Sequence, residues 1–349
     1  MKTGLISKLI TGLAFAGALA VPAAARANGD ALELDFDRVL GSQPRAPRDV
    51  PAPTQPYVPV TPAPNVYTGG LEAQLAGLAS AERGRIGVAA LDLATGRTVS
   101  VLGDQPFPMA STSKIAVVAT FLDGVDQGRW KLTDRFPLMI PQGSRKFSST
   151  VAPVRPGAMI SAQGLIELAI TRSDNPATDA LLAVVGGPQA VNRWLRKAGI
   201  SGMRMDRDIA TLVRDDGEHN PATTIDQRDS ATPLAMVELL GGLYQGQWLS
   251  PQSRNVLLGA MGRTVTGKRR LRAQLPAGAD IAHKTGTLFN TSSDVGIIQT
   301  PDGRAIAIAV YATGQGGKPQ RDARIATIAR VVYDGYQTEA SSVRRTASR

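Results

Sequence analysis

Apolar spacing along the chain alternates between helical and strand-like stretches with sharp punctuation between them. Leu71 to Arg83 reads as a helix, and 85–92 and 97–101 read as two strands around an Ala94-Thr95-Gly96 turn. Ser113 to Leu122 is apolar, contains neither Gly nor Pro, and predicts a buried helix. A long helical block follows. It comprises 161–172 with Ser161 as cap, a restart at Asn175-Pro176, a helix over 188–198, one opening at Thr232-Pro233 and reaching about Leu243, and one over 252–262. Strands return at 279–284, 293–300 and 304–312, the last two flanking a Pro301-Asp302-Gly303 turn. A closing helix over 320–335 puts Ile325, Ile328 and Val332 on one face. This order predicts an α/β (α+β) fold: one antiparallel sheet built from both chain ends, flanked by helices, with an all-helical insert domain.

The ends read differently. Residues 1–27 have the form of an export signal: Lys2 and Lys8, an apolar run from Leu9 to Val21, and a small-x-small site at Ala25-Arg26-Ala27. That run is too short for a stable membrane span, so membrane contact is expected only if the segment is retained. The expected location is outside the cytoplasm, periplasmic in a Gram-negative cell and secreted otherwise. Residues 28–69, with prolines at 44, 47, 51, 53, 56, 59, 62 and 64, read as an extended linker. The folded domain is expected over 70–336, and 337–349 as a disordered basic tail.

Composition narrows the chemistry. Of 349 residues 43% are hydrophobic, ample for a core, and the chain has no cysteine and two histidines, His219 and His283. Disulfides, thiol nucleophiles and cysteine zinc sites are thereby excluded, and neither a metal nor another cofactor is expected. The net charge of +10 is scattered and aromatic residues are only 5%, so no nucleic-acid platform is expected. Proton chemistry in an enzyme of this composition has to run on something other than a histidine-rich site.

Three segments could supply it. Ser111 and Lys114 are one helical turn apart at the start of the predicted buried helix, where a serine meets backbone N–H groups and a lysine meets core residues. Burial disfavours the ammonium and makes a neutral amine available as base. Ser173-Asp174-Asn175 lies at a helix-to-helix junction, able to present a hydroxyl and an amide or simply to cap the next helix. Lys284-Thr285-Gly286-Thr287 ends a predicted strand, where a lysine can hold an anionic group. The same Lys-Thr-Gly tripeptide occurs at residues 2–4, inside the leading segment, so alone it proves little.

Together and in this order the three segments resemble the active-site elements of class A β-lactamases and penicillin-binding proteins, a family of penicillin-recognising serine hydrolases. The resemblance covers about 70–335 and extends to Phe107-Pro108-Met109, Asp206-Arg207, Arg228-Asp229, Thr232-Pro233 and 266–272. It implies acyl transfer. Ser111 would attack a β-lactam carbonyl, Lys114 would handle its proton, and Ser173 would pass a proton to the lactam nitrogen. The N–H groups of Ser111 and Thr287 would form an oxyanion hole. Asn175 would contact the substrate side chain, Lys284 and Thr285 would hold the substrate carboxylate, and Arg270 matches a further carboxylate-binding arginine. His283 is expected to be structural. The expected partner is a small β-lactam or a peptidoglycan peptide, and the expected state is a monomer.

One departure stands out. Class A enzymes use a glutamate, in the loop corresponding to 207–229, to direct water at the acyl-enzyme. Here the loop is longer than usual. Counted from its start the glutamate position falls on Ile209; counted from its end it falls on Asp216, with Glu218 the only nearby glutamate. Asp216 is the candidate base. Three functions remain open at this point: a β-lactam hydrolase, a D,D-peptidase or related cell-wall hydrolase, and a penicillin-binding sensor that does not hydrolyse its ligand.

Overall fold

The computed structural model describes residues 58–59, 69–81 and 83–347, with side chains described over 69–81 and 83–338. The expected signal segment and most of the expected linker lie outside the described residues. Strand β1 (Val58–Pro59) belongs to the linker segment and pairs with β8 (Thr224–Ile225). Helix α1 (Gly70–Ala79) precedes β2 (Gly84–Asp92), β3 (Thr98–Val101) and the short β4 (Phe107–Pro108). A 3₁₀ turn at Ala110–Ser113 leads into α2 (Lys114–Asp126), followed by the ribbon β5 (Arg135–Pro141) and β6 (Val154–Ser161).

The helical block continues with α3 (Ala162–Thr171), α4 (Asn175–Val185) and α5 (Pro188–Lys197). Short pieces β7 (Met203–Arg204), α6 (Ile209–Arg214) and β9 (Ser230–Ala231) surround the long loop before α7 (Pro233–Gln245) and α8 (Pro251–Gly262). The chain closes with β10 (Asp280–Leu288), β11 (Thr291–Gln299), β12 (Ala305–Gly314) and α9 (Lys318–Ala347).

The central sheet has the order β10-β11-β12-β2-β3 and every pairing is antiparallel, so both chain ends do build it. Both faces are covered, and β12 shows how. Ala305, Ala307, Ala309 and Tyr311 face the helical insert, whereas Ile306, Ile308, Val310 and Ala312 face α1 and α9. Mostly small side chains on one side and β-branched ones on the other let helices pack against both surfaces. Ile325, Ile328 and Val332 of α9 lie in the second core, as their spacing predicts.

The predicted helix starts hold. The Ser161 side chain accepts from Gly164 N, Thr232 from Ala235 N and Ser250 from Ser253 N, with proline opening α7 and α8. Two expectations need correction. The insert is not purely helical: β5 and β6 form a two-stranded ribbon in a stretch whose prolines, Pro137 and Pro141, hide its period from a sequence reading. The basic tail expected from 337 is helical to Ala347, since no Gly or Pro follows Gly335 to break α9.

Phe107 ties this frame to the serine turn. It is fully buried, stacks on Tyr311 at 5.8 Å between centroids, and carries the Arg85 guanidinium 4.3 Å from its ring. A Cβ on Gly87 would fall 2.3 Å from Phe107 Cε2. With Phe107 clamped on both faces, Gly87→Ala is expected to cost about 1–3 kcal/mol through overpacking. Urea denaturation checks this, and an unchanged midpoint would show that the ring has room to yield.

Candidate active site

The sequence around Ser111 folds into a tight turn before α2 begins, rather than into the first α-helical turn. Thr112 Oγ1 donates to Met109 O at 2.7 Å and Ser113 Oγ to Ala110 O at 2.8 Å, so two of the three hydroxyls tie the turn down. Ala110 sits at φ +50°, a left-handed conformation that costs energy in any residue but glycine. Ser111 itself is half-buried.

Lys114 is fully buried among the α2 core residues Ile115, Val117 and Val118. Its Nζ donates to Ser173 O at 2.5 Å and Asn175 Oδ1 at 2.6 Å, with Ser173 Oγ at 3.4 Å. Burial pushes its pKa down to about 7, against the opposing pull of the Asp174 and Asp179 carboxylates. A lysine in this state is divided between ammonium and amine near neutral pH.

Ser173-Asp174-Asn175 does both things its sequence allows. Asp174 Oδ1 caps α4 by accepting from Ala177 N at 2.7 Å, which frees Asn175 to face Lys114. Ser173 is held at φ +60°. From the other wall, Lys284 Nζ donates to Ser173 Oγ at 2.9 Å and to Thr285 O at 2.8 Å. The Ser173 hydroxyl therefore stands between two lysines that come from opposite ends of the sequence.

Strand β10 fits against the serine turn because residue 286 is glycine. A Cβ there would lie 2.7 Å from Met109 O and 3.0 Å from Ala110 Cβ. Thr285 Oγ1 pairs with Thr266 Oγ1 at 2.7 Å. Arg270 departs from its expected role. It is fully buried and donates to Asp322 Oδ1 at 2.7 Å, to the Gly286 and Ser293 carbonyls at 3.0 Å each, and to Thr287 Oγ1 at 2.8 Å. Its charge is compensated by Asp322, and it reaches the cleft only through Thr287, so it is a positioning residue for β10. His283 is structural as expected: its Nδ1 lies 2.9 Å from Asp294 Oδ1 and both residues are fully buried.

The loop 207–229 is closed at its neck, where Asp229 Oδ2 accepts from Arg207 Nε at 2.6 Å and its Oδ1 from the N–H groups of Asp206 and Arg207. Helix α6 begins right after the neck. Both oxygens of Asp179, a buried α4 residue four positions beyond Asn175, accept from Ile209 N and Ala210 N at 2.7 and 2.8 Å. Burial raises the Asp179 carboxyl to about 7. Sequence reasoning passed Asp179 over, although a single acid in the run Ala177 to Val185 was a visible signal.

The structure does not bring Asp216 to Ser111. Its Oδ2 accepts from Phe289 N at 2.8 Å, beyond the end of β10, and burial raises its pKa to about 6. Glu218 Oε2 accepts from Arg228 Nη2 at 2.6 Å. Among the described residues neither carboxylate bonds to Ser111, Lys114, Ser173 or Asn175. The physical reason is register: Asp179 fixes Ile209 at the start of α6, so the extra residues extend the loop beyond α6 and carry Asp216 away. Glu218, His219 and Asp226 offer ligand atoms within 4.8 Å of one another. Arg228 already donates to both carboxylates, which compensates their charge without a cation.

A family profile described as "Beta-lactamase enzyme family" matches residues 70–336. The chain is 32% identical to β-lactamase CTX-M-25 of Escherichia coli, over 76% of this chain and 89% of that one. Among solved structures it is similar to the last common ancestor of Gram-negative bacteria β-lactamase class A. That likeness is 39% identity and a TM-score of 0.65, covering 77% of this chain and 100% of the other. It is also similar to a β-lactamase from Chitinophaga pinensis DSM 2588, at 27% identity and a TM-score of 0.67, covering 77% and 100%.

The buried lysine makes a stability prediction with a definite sign. With a folded pKa near 7 and an unfolded value near 10.5, the unfolded chain binds more protons between those pH values. Lys114 therefore contributes more to stability as pH rises from about 7 toward 10.5. The unfolding free energy of Lys114→Met relative to wild type should fall over that interval, by up to about 1 kcal/mol per pH unit. A difference that stays flat from pH 7 to 9.5 would mean that Lys114 remains charged in the fold.

Proposed function

The chain belongs to the class A β-lactamase family, and from that membership we propose that it hydrolyses β-lactams through an acyl-enzyme on Ser111. The observation that carries this reading is the Ser173 hydroxyl, which accepts from Lys284 and lies within reach of Lys114 beside the Ser111 turn. Three motifs far apart in sequence meet there, each with a role that acyl transfer needs.

In the first stage the neutral Lys114 amine takes the Ser111 proton as Oγ bonds to the lactam carbonyl carbon. At a pKa near 7 the amine is available at neutral pH and its conjugate acid can return the proton, the condition that favours general acid–base catalysis. The proton passes by way of the Ser173 hydroxyl to the lactam nitrogen as the C–N bond breaks. Lys284 and Thr285 offer a cation and a hydroxyl to the substrate carboxylate, and Lys284 also keeps Ser173 oriented. Arg270 supports this wall through Thr287 and the Gly286 carbonyl. Backbone N–H groups of Ser111 and Thr287 serve the developing oxyanion.

The second stage adds water to the Ser111 ester. The loop acids are engaged elsewhere, Asp215 with Arg214, Asp216 with Phe289 N and Glu218 with Arg228. Lacking a positioned carboxylate base, this step is expected to be slower by roughly 10²–10⁴-fold than one that has it. That observation also favours a second reading, a penicillin-binding protein whose acyl-enzyme persists. Residues 1–27 further support an exported protein, acting where β-lactams and peptidoglycan are met.

Intact-mass spectrometry over time after addition of a penicillin tests both readings. A single adduct of the penicillin mass should appear on wild type, be absent from Ser111→Ala, and decay as hydrolysed product is released. No adduct on wild type, or an adduct on Ser111→Ala, would overturn the acyl-enzyme. An adduct that does not decay over hours selects the penicillin-binding reading.

A further inference from the structure

The segment between β5 and β6 has almost nothing apolar to hold it. Residues 142–151 are all exposed, including Phe147 at 44% and Val151 at 58%. A ladder of polar contacts to α6 and the residues after it fixes it instead. Ala152 N donates to Thr211 Oγ1 at 2.7 Å, and Arg214 donates to Ser149 Oγ at 2.9 Å and Ser149 O at 2.6 Å. Phe147 N donates to Asp215 Oδ1 at 2.9 Å, and Lys146 Nζ donates to Asp216 O. Burial alone would raise the Asp215 carboxyl, but the Arg214 and Phe147 hydrogen bonds hold it below the usual range, so it stays an acceptor.

The same few residues also grip the sheet. Asp216 Oδ2 accepts from Phe289 N at 2.8 Å, and Asn220 Oδ1 from Asn290 Nδ2 at 2.9 Å, both in the turn that joins β10 to β11. Gly217, at φ +84°, lies between the two sides: a Cβ there would be 3.6 Å from Phe289 Cγ and 3.8 Å from Lys146 Nζ. Just before them, Leu212 packs with Leu288 and with Ala110, the neighbour of Ser111. The lengthened part of the loop thus spans from the helical insert to the sheet beside the nucleophile.

We propose that Asp215 and Asp216 form a clasp that joins the 142–153 segment to the β10–β11 turn and so narrows the site to β-lactams with small acyl side chains. This rests on the β-lactam reading above and specifies its substrates. The cleft has one wall from each of the two parts that the clasp connects. A bulky acyl side chain can enter only by spreading those walls, which breaks the charge-assisted bonds to Phe147 N and Phe289 N. Asp215 and Asp216 act as positioning residues; neither touches the reacting atoms.

The test compares acylation rates for benzylpenicillin and for a cephalosporin with a bulky oxyimino side chain, by time-resolved intact mass. Wild type is compared with the double variant Asp215→Ala, Asp216→Ala and with Lys146→Ala, whose exposed side chain can be cut without risk to folding. The bulky-to-small rate ratio should rise about tenfold in the double variant, the weight of one or two hydrogen bonds, and severalfold in Lys146→Ala. Amide exchange at Phe147 and Phe289 should speed up in the double variant. An unchanged ratio in Lys146→Ala and in a folded double variant overturns the clasp. Wild type that is acylated by neither compound overturns the β-lactam reading instead, a failure separate from unchanged selectivity in a protein that does acylate.

Discussion

The site depends on a lysine amine taken out of water and held by two oxygen acceptors. Lys114 sits at the start of the core helix α2, where its neighbours deny it solvent and the Ser173 carbonyl and Asn175 amide supply its hydrogen bonds. An isolated buried ammonium is costly, and the usual relief is a lowered pKa. Relief by a bonded carboxylate would keep the lysine charged and useless as a base. Here the nearest acids keep their oxygens on backbone groups: Asp174 caps α4 and Asp179 holds the start of α6.

The other buried charges around the cleft are neutralised in pairs, which leaves Lys114 as the one tuned for proton transfer. Arg270 is matched by Asp322, and Arg207 by Asp229. These pairs fix geometry: Arg270 braces β10 through two carbonyls, and Asp229 closes the neck of the loop. Strain is concentrated at the same place. Ala110 and Ser173, at φ +50° and +60°, flank the reacting groups and persist because the surrounding hydrogen bonds over-determine them.

Much of this was legible in the sequence where the signal is local. Helix starts at Ser161, Asn175-Pro176 and Thr232-Pro233 follow from capping chemistry, and the sheet from both chain ends follows from the order of periods. Ser111, Lys114, Ser173 and Lys284 could be named because their types and order are specific together. What escaped is carried by contacts between distant segments. The β5–β6 ribbon and its tethering to Thr211, Arg214 and Asp215 leave no periodic trace. Asp216 was a candidate base only because the lengthened loop can be counted from either end; Asp179, bonding Ile209 N and Ala210 N, decides the count. Arg270 was read as substrate-facing because its burial behind β10 is a tertiary fact that no spacing reveals.

The claim at the centre is that Lys114 is the base that activates Ser111, and that burial brings its pKa to about 7. The pH dependence of the acylation rate of Ser111, measured in the single-turnover regime from pH 5 to 10, tests it most directly. The rate should rise as a single protonation is lost, with a midpoint near pH 7, and level off above it. A rate that is flat across this range, or that rises only near the ordinary lysine value above pH 10, would contradict the account.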